Sequence, residues 1–522
     1  MSSSPRQAPA PTGLAAGVLL VTIATYLTYA VGLLNNAIIA RGLGPTDFGR
    51  YSYVIWLCGW LVLIINNGLT TSGIRFVAEQ LGAGSVESAQ RVHGYLLRLS
   101  HYSEWVVLGG FAIAAWLIHA ADWREAMPLF IGVVLIGALA KSRYLFDISI
   151  AKGYSQFKIE PYSTVGVGAL TTLLVVILYL NHARLTTYLL VFGASSLAFW
   201  IVAALQLRQA GVAPAAALPN SEVLSRLRPH LRWTILLAAV TVFGNKSVEV
   251  FILNATHGAR TVGFFTIGAA LTRGGIDLLT SGLMTVLMPV MSSAFGRGGD
   301  ARINRIFSDS VRYFAFAGLI AAGAGFWLAG PTVEVLYGPN YLPAVTAFRV
   351  MAVVSGLTLA ESSFAALLST TDRQRSRAVL VAIQILITVM FAAVLIPPYG
   401  FTGALIAHAT SRLMGFTLVI GWVSRTYSAK LPIRQLLRLA LAAGLAAVPA
   451  WGLVTLLNGL VAHALGVAAA VLYVLLLAPF SLFARCWTAV DFALLARLLE
   501  QYAPGLTRMR RWTANLGVHF SA

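Results

Sequence analysis

Long apolar runs, separated by short polar or turn-rich segments, recur from residue 14 to residue 485. About 20 helical residues cross a hydrocarbon layer roughly 30 Å thick, so each run predicts a membrane-spanning helix. The interruptions divide the chain into about fourteen such helices. They lie near residues 14–40, 51–74, 105–121, 127–150, 161–181, 185–206, 233–255, 261–290, 310–330, 344–370, 376–396, 401–424, 434–457 and 462–485. The pattern predicts an all-α polytopic membrane protein.

Composition agrees with this fold class. Hydrophobic residues make up 58% of the chain and charged residues 11%, whereas soluble domains hold roughly a quarter charged residues. A net charge of +19 would suggest nucleic-acid binding in a soluble protein. In a membrane protein Lys and Arg mainly report topology, so we expect no nucleic-acid partner. Cys58 and Cys486 lie near opposite ends of the chain and predict neither a disulfide framework nor a metal site.

The basic residues between the predicted helices alternate in a regular way. Even-numbered connections are basic and odd-numbered ones carry almost no Lys or Arg. The basic connections hold Arg75, Arg91, Arg98, Lys152, Lys158, Arg208, Arg226, Arg228, Arg232, Arg297, Arg302, Arg305, Arg373, Arg375, Arg377, Arg425, Lys430 and Arg434. The positive-inside rule then predicts a protein of the inner membrane with both termini in the cytoplasm and the Pro397–Gly400 turn outside.

Two predicted cytoplasmic segments, 75–104 and 487–502, repeat apolar residues at helical spacing beside Arg and Glu. This amphipathic pattern predicts helices that lie in the membrane interface. Binding of a partner is the alternative interpretation. The first apolar run is too long for a cleavable signal peptide, so we interpret it as a retained first helix.

A shift of 214 residues superposes the region around the first loop on the region around the seventh helix, so that helices 1 and 2 match helices 7 and 8. Gly44 falls on Gly258, Gly49 on Gly263 and Gly68 on Gly282. Equivalent segments in equivalent places of the topology predict two six-helix halves of the same orientation, with a central site between them. The predicted divisions are a cytoplasmic tail at 1–13, an N-lobe at 14–210, a basic linker at 211–232, a C-lobe at 233–424, two extra helices at 434–485 and a cytoplasmic tail at 486–522.

Ionisable side chains inside predicted spans mark a bundle interior or a wet cavity, because a lipid-facing charge is costly. Lys246 and Glu249 share one face of helix 7, and Arg273 and Asp277 share one face of helix 8, as i, i+3 and i, i+4 pairs. Salt bridges that only lock helices together are the alternative for any single pair. The wider candidate set adds the cations Arg41, Arg75, Arg349 and Arg412, the carboxylate Glu361, and the polar residues Asn35, Asn36, Asn66, Asn67 and His408. Cations outnumber carboxylates, which favours an anionic substrate.

Enzyme signatures are missing from the sequence. There is no GxxxxGK[ST] phosphate loop, and the glycine-rich stretch at 42–49 has the wrong spacing for a dinucleotide fingerprint. We interpret that stretch as a tight turn between helices. The outer loops are short and offer no assembled acid, base and binding set. We therefore expect no enzyme activity, no cofactor and no metal.

Four segments resemble a known family. Residues 35–51, from Asn35 to Tyr51, resemble the first-loop signature of the Wzx-type polysaccharide flippases, which belong to the multidrug/oligosaccharidyl-lipid/polysaccharide (MOP) exporter superfamily. Residues 68–75, 336–341 and 399–404 resemble the end of their second helix, the turn before their tenth and the entry to their twelfth. The order and spacing of these segments cover essentially the whole chain.

The resemblance implies an exporter that moves undecaprenyl-diphosphate-linked oligosaccharide from the inner to the outer leaflet by alternating access. The predicted pyrophosphate-binding cations are then Lys246, Arg273, Arg412, Arg41, Arg75 and Arg349, and the candidates for ion coupling are Glu249, Asp277 and Glu361. The expected state is a monomer in the lipid bilayer, with polysaccharide polymerase and chain-length proteins as candidate partners. A lipid II flippase and a multidrug exporter of the same superfamily remain as alternatives.

Overall fold

The computed structural model is largely helical in its described part, which comprises residues 11–118, 123, 126–245, 247–370, 374–426, 431–457 and 462–493. These residues form fifteen α-helices, with a π-helix at Arg273–Asp277 and a short 3-10 helix at Pro339–Tyr341. The helices are α1 (Pro11–Ile65), α2 (Leu69–Gly82), α3 (Val86–Ile118), α4 (Met127–Gly153), α5 (Ile159–Leu180), α6 (Leu185–Gln209), α7 (Ser221–Asn245), α8 (Val248–His257), α9 (Ala259–Thr272), α10 (Leu278–Tyr337), α11 (Pro343–Leu357), α12 (Glu361–Thr370), α13 (Gln374–Thr426), α14 (Ile433–Leu456) and α15 (Ala462–Phe483).

Among the described helices, eight are long and apolar enough to cross a membrane, and the pair α11 and α12, bent by 46°, makes nine. Two of the eight contain a kink, at Gly44 in α1 and at Gly400 in α13, and each kink falls at a predicted turn. Each of these helices therefore covers two predicted spans. The remaining predicted spans correspond to α3, to α7 with α8, and to α9 with the start of α10. The prediction of an all-α polytopic membrane protein is confirmed.

The chain forms two compact units. Unit 1 comprises Met1–Thr266, Leu336–Asn340 and Val381–Ala407, and unit 2 comprises Ile267–Val335, Tyr341–Leu380 and His408–Ala522. Helix α7 begins at Ser221, so the second half of the predicted linker is helical. The predicted division into lobes stays a prediction.

The internal repeat is visible in the backbone of unit 1. Gly44 (φ 72°, ψ 171°) and Gly258 (φ 76°, ψ 175°) adopt almost the same conformation, one that only glycine adopts readily. A Cβ on Gly49 would lie 1.7 Å from the carbonyl oxygen of Ala259, and a Cβ on Gly263 would lie 2.8 Å from that of Pro45. The offset of 214 maps residue 45 on 259 and 49 on 263, so the two contacts are equivalent by a pseudo-twofold operation. We call these four residues, 45, 49, 259 and 263, the glycine contact.

The segment 75–104, predicted to be helical and to lie in the membrane interface, is helical, and its place in the interface stays a prediction. This segment is the end of α2, a turn and the beginning of α3. Its apolar residues Phe76, Val92 and Leu96 are buried in a core that also contains Phe146 of α4 and Leu227 of α7. The amphipathic pattern reports packing on the protein itself, because helices from the neighbouring spans cover the apolar face.

The second amphipathic segment, 487–502, is described only as far as residue 493. Trp487 stacks on Tyr313 of α10 at 6.2 Å and meets Phe316 edge to face at 4.9 Å. Asp491 forms an ion pair with Arg312 at 2.7 Å. The beginning of this segment is thus attached to α10 within unit 2.

The two predicted extra helices, α14 and α15, pair through small residues, since Ala442, Ala446, Ala450 and Ala469 are all buried there. Gly323 of α10 lies under the ring of Tyr473, whose hydroxyl donates to the carbonyl oxygen of Leu319 at 3.0 Å. The pair is therefore packed on α10.

Candidate transport site

Four helix discontinuities coincide with candidate polar residues. The chain leaves regular α-helix at residues 66–68, between α7 and α8, at the π-helix 273–277, and at 358–360 between α11 and α12. Backbone groups freed inside a membrane must find other partners, so broken helices occur where they line a cavity or pack against protein. In transporters such breaks often form the binding site.

The break after α1 contains Asn66 and Asn67. The Asn66 amide donates to the carbonyl oxygen of Ser142 in α4 at 3.2 Å. The side-chain oxygens of Asn66, Asn67 and Asn35 are buried and have no hydrogen-bond partner within the described residues. Gly68 permits the turn with a φ of 75° and leaves room for Thr234 of α7, which a Cβ would meet at 3.0 Å. These amide oxygens are free to accept hydrogen bonds from hydroxyl groups.

A helix break separates α7 from α8, which begins at Val248. The predicted cation Lys246 lies outside the described residues. Ser247 follows it, and its carbonyl oxygen accepts a hydrogen bond from the indole of Trp56 at 3.1 Å. Glu249 stands in the first turn of α8 and is 2% exposed. Sequence reasoning identified the polar residues here but not the break.

The second predicted pair occupies the π-helix. Arg273 is its first residue and is exposed, and Asp277 is its last, described here by its backbone alone. Gly274 and Gly275 lie between them, and no atom within 4 Å would meet a Cβ on either. π-Helical turns are rare in proteins, and those that occur are often found at functional sites. The predicted role of Arg273 in binding the pyrophosphate stays a prediction.

Glu361 begins α12 directly after the bend at 358–360. Its cationic neighbours are Arg412 and Arg377, both on α13. The Nε of Arg412 is buried without a hydrogen-bond partner among the described residues. The structure therefore brings Glu361 and Arg412 together within unit 2. His408 is half-buried one turn away from Arg412 on the same helix.

Three other predicted cations have mainly structural contacts. Arg349 donates from Nε to the carbonyl oxygen of Phe326 at 3.2 Å and lies 5.0 Å over that residue's ring. Arg41 donates to the carbonyl oxygen of Leu336 at 2.9 Å. Arg75 is exposed, with Nη1 3.2 Å from Nδ1 of His230. Burial and the Arg75 guanidinium lower the pKa of His230.

Asn36, like Arg41, forms a hydrogen bond with the end of α10. It accepts a hydrogen bond from the hydroxyl of Tyr337 at 2.9 Å. Gly338 (φ 91°) then turns the chain after α10. These bonds fasten α1 to the turn at 336–341, one of the segments that carry the family resemblance.

A cluster of buried charges in unit 1 was missed. Arg143 of α4 forms an ion pair with Glu104 of α3 at 2.6 Å, and the two side chains are 17% and 4% exposed. Arg143 also contacts His101 and lies 5.9 Å over the ring of Trp200. Asp147, one turn further on α4, lies beside Arg143 and Trp200. The cluster joins α3, α4 and α6.

A sequence signal for this cluster exists. Lys141, Arg143 and Asp147 all lie inside the predicted span 127–150, and ionisable residues in a span are functional candidates by default. The predicted start of helix 3 at residue 105 left His101 and Glu104 outside the membrane. With that boundary, Glu104 was not counted as an intramembrane charge and could not be proposed as the partner of Arg143.

Comparison with known proteins identifies the family. A family model described as "Polysaccharide biosynthesis protein" matches residues 14–295, just over half of the chain. The chain belongs to this family. A search of curated proteins found no match.

Solved structures share the fold of this polysaccharide biosynthesis protein. Lipid II flippase MurJ, in an inward closed conformation, has a TM-score of 0.67 and 13% identity, covering 89% of this chain and 98% of that one. An inward-facing multidrug resistance MATE family transporter of the MOP superfamily has a TM-score of 0.59 and 18% identity, covering 78% and 98%. The protein is thus a multi-pass membrane protein with the fold of MOP-superfamily transporters, and the predicted resemblance is confirmed.

Proposed function

We propose that the protein is a flippase that moves undecaprenyl-diphosphate-linked oligosaccharide repeat units across the bacterial inner membrane for the assembly of a surface polysaccharide. It works by alternating access through a cationic central cavity, with both termini in the cytoplasm. The family match at residues 14–295 carries the proposal. The coincidence of polar candidates with helix breaks supports it, because a hydrated headgroup needs polar groups at membrane depth.

The chemistry of the substrate suits the candidate residues. A diphosphate needs cations and hydrogen-bond donors, and the sequence offers Lys246, Arg273 and Arg412. Sugar hydroxyls need acceptors such as the buried oxygens of Asn66 and Asn67. The undecaprenyl chain stays in the lipid, because it is as apolar as the bilayer core.

The membrane potential can drive this export. One elementary charge that crosses 100 mV is worth about 2.3 kcal/mol, so an outward-moving dianion gains roughly 4 to 5 kcal/mol in an inside-negative cell. Ion exchange at Glu249, Asp277 or Glu361 is a further source of energy. Polysaccharide polymerase and chain-length proteins are the expected partners, and the transporting unit is a monomer.

Deletion of the gene tests the proposal. Surface polysaccharide should disappear, and lipid-linked repeat units should accumulate facing the cytoplasm. Sensitivity to cationic drugs with intact polysaccharide would instead indicate a multidrug exporter.

A lipid II flippase is the second candidate, favoured by the TM-score of 0.67 with MurJ. Expression of this chain in cells depleted of their own lipid II flippase separates the two candidates. Rescue of growth in the depleted cells would support lipid II as the substrate. The first proposal would be supported if the depleted cells still lyse while the same chain restores surface polysaccharide in the deletion strain.

A further inference from the structure

Lys141 occupies the centre of a membrane-spanning helix. Fourteen residues of α4 precede it and twelve follow it. At 1.5 Å per residue the helix is about 40 Å long. Lys141 therefore stands about 20 Å from either end, in the part of the helix that crosses the hydrocarbon.

The Lys141 ammonium lies among α1, α4 and α6 of unit 1. It sits 4.7 Å from the centroid of the Phe192 ring in α6. Gly137, one turn earlier on α4, faces that ring and the Sγ of Cys58 in α1, which a Cβ would meet at 2.7 and 3.3 Å. Tyr51 of α1 meets Phe192 edge to face at 6.4 Å. These neighbours are aromatic or weakly polar, and none supplies a negative charge.

Nothing within the described part of the chain neutralises this lysine. No carboxylate lies within ion-pair distance of its ammonium there, and no hydrogen bond of the side chain was found there. The side chain is half-buried, so it keeps accessible surface. Charges inside membranes are paired, or they face a wet cavity or a pathway. Because no described carboxylate pairs with Lys141, we expect its ammonium to face a wet cavity or a pathway.

Arg143 provides the contrast on the same helix. Two residues further along, it is balanced by Glu104 at 2.6 Å. The charge of Arg143 is already neutralised by its carboxylate partner, whereas a cation without such a partner can bind an anion from outside the protein. An ammonium binds phosphate oxygens as a point charge with three donors.

We infer that Lys141 binds the diphosphate of the lipid-linked substrate during its passage through unit 1. This role rests on the proposed flippase function and adds a cation that is not among the six predicted ones. Phe192 holds the ammonium in place until the anion arrives, through a cation–π contact that a phosphate oxygen can replace.

Binding of undecaprenyl diphosphate to the purified full-length protein in nanodiscs tests the inference, with undecaprenol as the uncharged reference. Lys141→Met and Lys141→Gln should weaken diphosphate affinity roughly ten-fold or more, the range for a hydrogen bond to a charged group. Lys141→Arg should stay within a few-fold of wild type. The matched control is the double variant Glu104→Gln, Arg143→Met, which removes two balanced charges near the same depth and should bind the diphosphate like wild type.

Chemical labelling of the wild type gives a second measurement that needs no folded variant. Undecaprenyl diphosphate should protect Lys141 from acetylation, as read by mass spectrometry, and undecaprenol should not. Lys152, paired with Glu160 at 2.7 Å, is the internal reference.

The two hypotheses fail in different ways. Wild-type protein that discriminates diphosphate from undecaprenol, with neutral Lys141 variants that do so equally well and no protection of Lys141, would overturn the assignment of Lys141 alone. Wild-type protein that binds both lipids equally would contradict the proposed function itself. Because the probe carries no sugar, a weaker affinity in the neutral variants assigns the contact to the diphosphate and not to a sugar carboxylate.

Discussion

The backbones of Gly49 and Gly263 lie directly against each other. A Cβ on Gly49 would stand 3.2 Å from the nitrogen of Gly263, and a Cβ on Gly263 would stand 3.3 Å from the nitrogen of Gly49. Each glycine follows its own glycine break by five residues, at Gly44 and Gly258. The two repeats thus meet through equivalent residues at the end predicted to face the periplasm.

Gly49→Ala should prevent this contact from forming, because the new methyl group would overlap the carbonyl oxygen of Ala259 at 1.7 Å. We expect export of polysaccharide to fall at least ten-fold. This corresponds to a free-energy penalty of about 1.4 kcal/mol or more on the conformation in which the contact is formed. Surface polysaccharide, measured at matched protein levels in the membrane, is the readout.

Gly32→Ala is the matched control, since nothing lies within 4 Å of a Cβ there. Alanine is the better helix former, so export should be unchanged. Equal export from both variants would show that the glycine contact has no role in transport.

Asp491→Ala should destabilise unit 2 far more than Asp309→Ala. Both carboxylates contact Arg312, which is 3% exposed, but Asp491 is 8% exposed and Asp309 is 38% exposed. Asp491 also accepts from the backbone nitrogen and the hydroxyl of Thr488, at 2.6 and 2.8 Å. We expect a loss of about 2 to 3 kcal/mol for Asp491 and about 0 to 1 kcal/mol for Asp309.

The melting temperature of the purified protein measures this difference. Similar shifts for the two variants would mean that the segment after α15 is not held by this ion pair. Tyr313→Phe, which removes one further hydrogen bond to Asp491, should fall between them.

Acid should weaken the core around His93. This side chain is 5% exposed, and burial lowers its pKa from 6.5 to about 4. The unfolded state therefore binds more protons between those pH values, so the free energy of unfolding falls as pH falls through that window. The change from pH 7.5 to pH 5 is roughly 2 kcal/mol.

His93→Gln lacks this titration, so its melting temperature should depend less on pH over the same range. The difference between wild type and variant isolates His93 from the other histidines. Identical pH profiles would contradict the assignment.

Single cysteines should report the proposed orientation. Tyr399 is 64% exposed beside the kink at Gly400. A cysteine placed there should react with a membrane-impermeant maleimide added from outside, and one at Arg375 should not. Cys58 and Cys486 are buried, which keeps the background low. The opposite labelling pattern would invert the predicted topology.

Sequence patterns were sufficient for the spans and for the glycine turns, since hydropathy and left-handed glycines are local properties. Gly44 and Gly258 could be matched because both repeats need the same backbone conformation. The breaks at 66–68, at Ser247 and at 358–360 could not be found this way. The break at 66–68, for example, lies between Ile65 and Leu69, which are as apolar as any helix interior. A break depends on partners from other helices, such as Ser142 and Trp56.

Pairing between helices was equally inaccessible. Arg143 could be recognised as an intramembrane charge, yet its partner Glu104 is 39 residues away and just outside the predicted boundary of helix 3. A helix boundary error of a few residues therefore changed which charges counted as buried.

The glycine contact consists of backbone atoms alone. None of its four residues carries a charged side chain, so the free energy of separating these backbone atoms should be nearly independent of ionic strength and pH. A gate made of Arg and Glu would instead loosen in salt and respond to acid. In the proposed topology this contact lies at the outer end, and opening there would depend on shape and not on the composition of the surrounding medium.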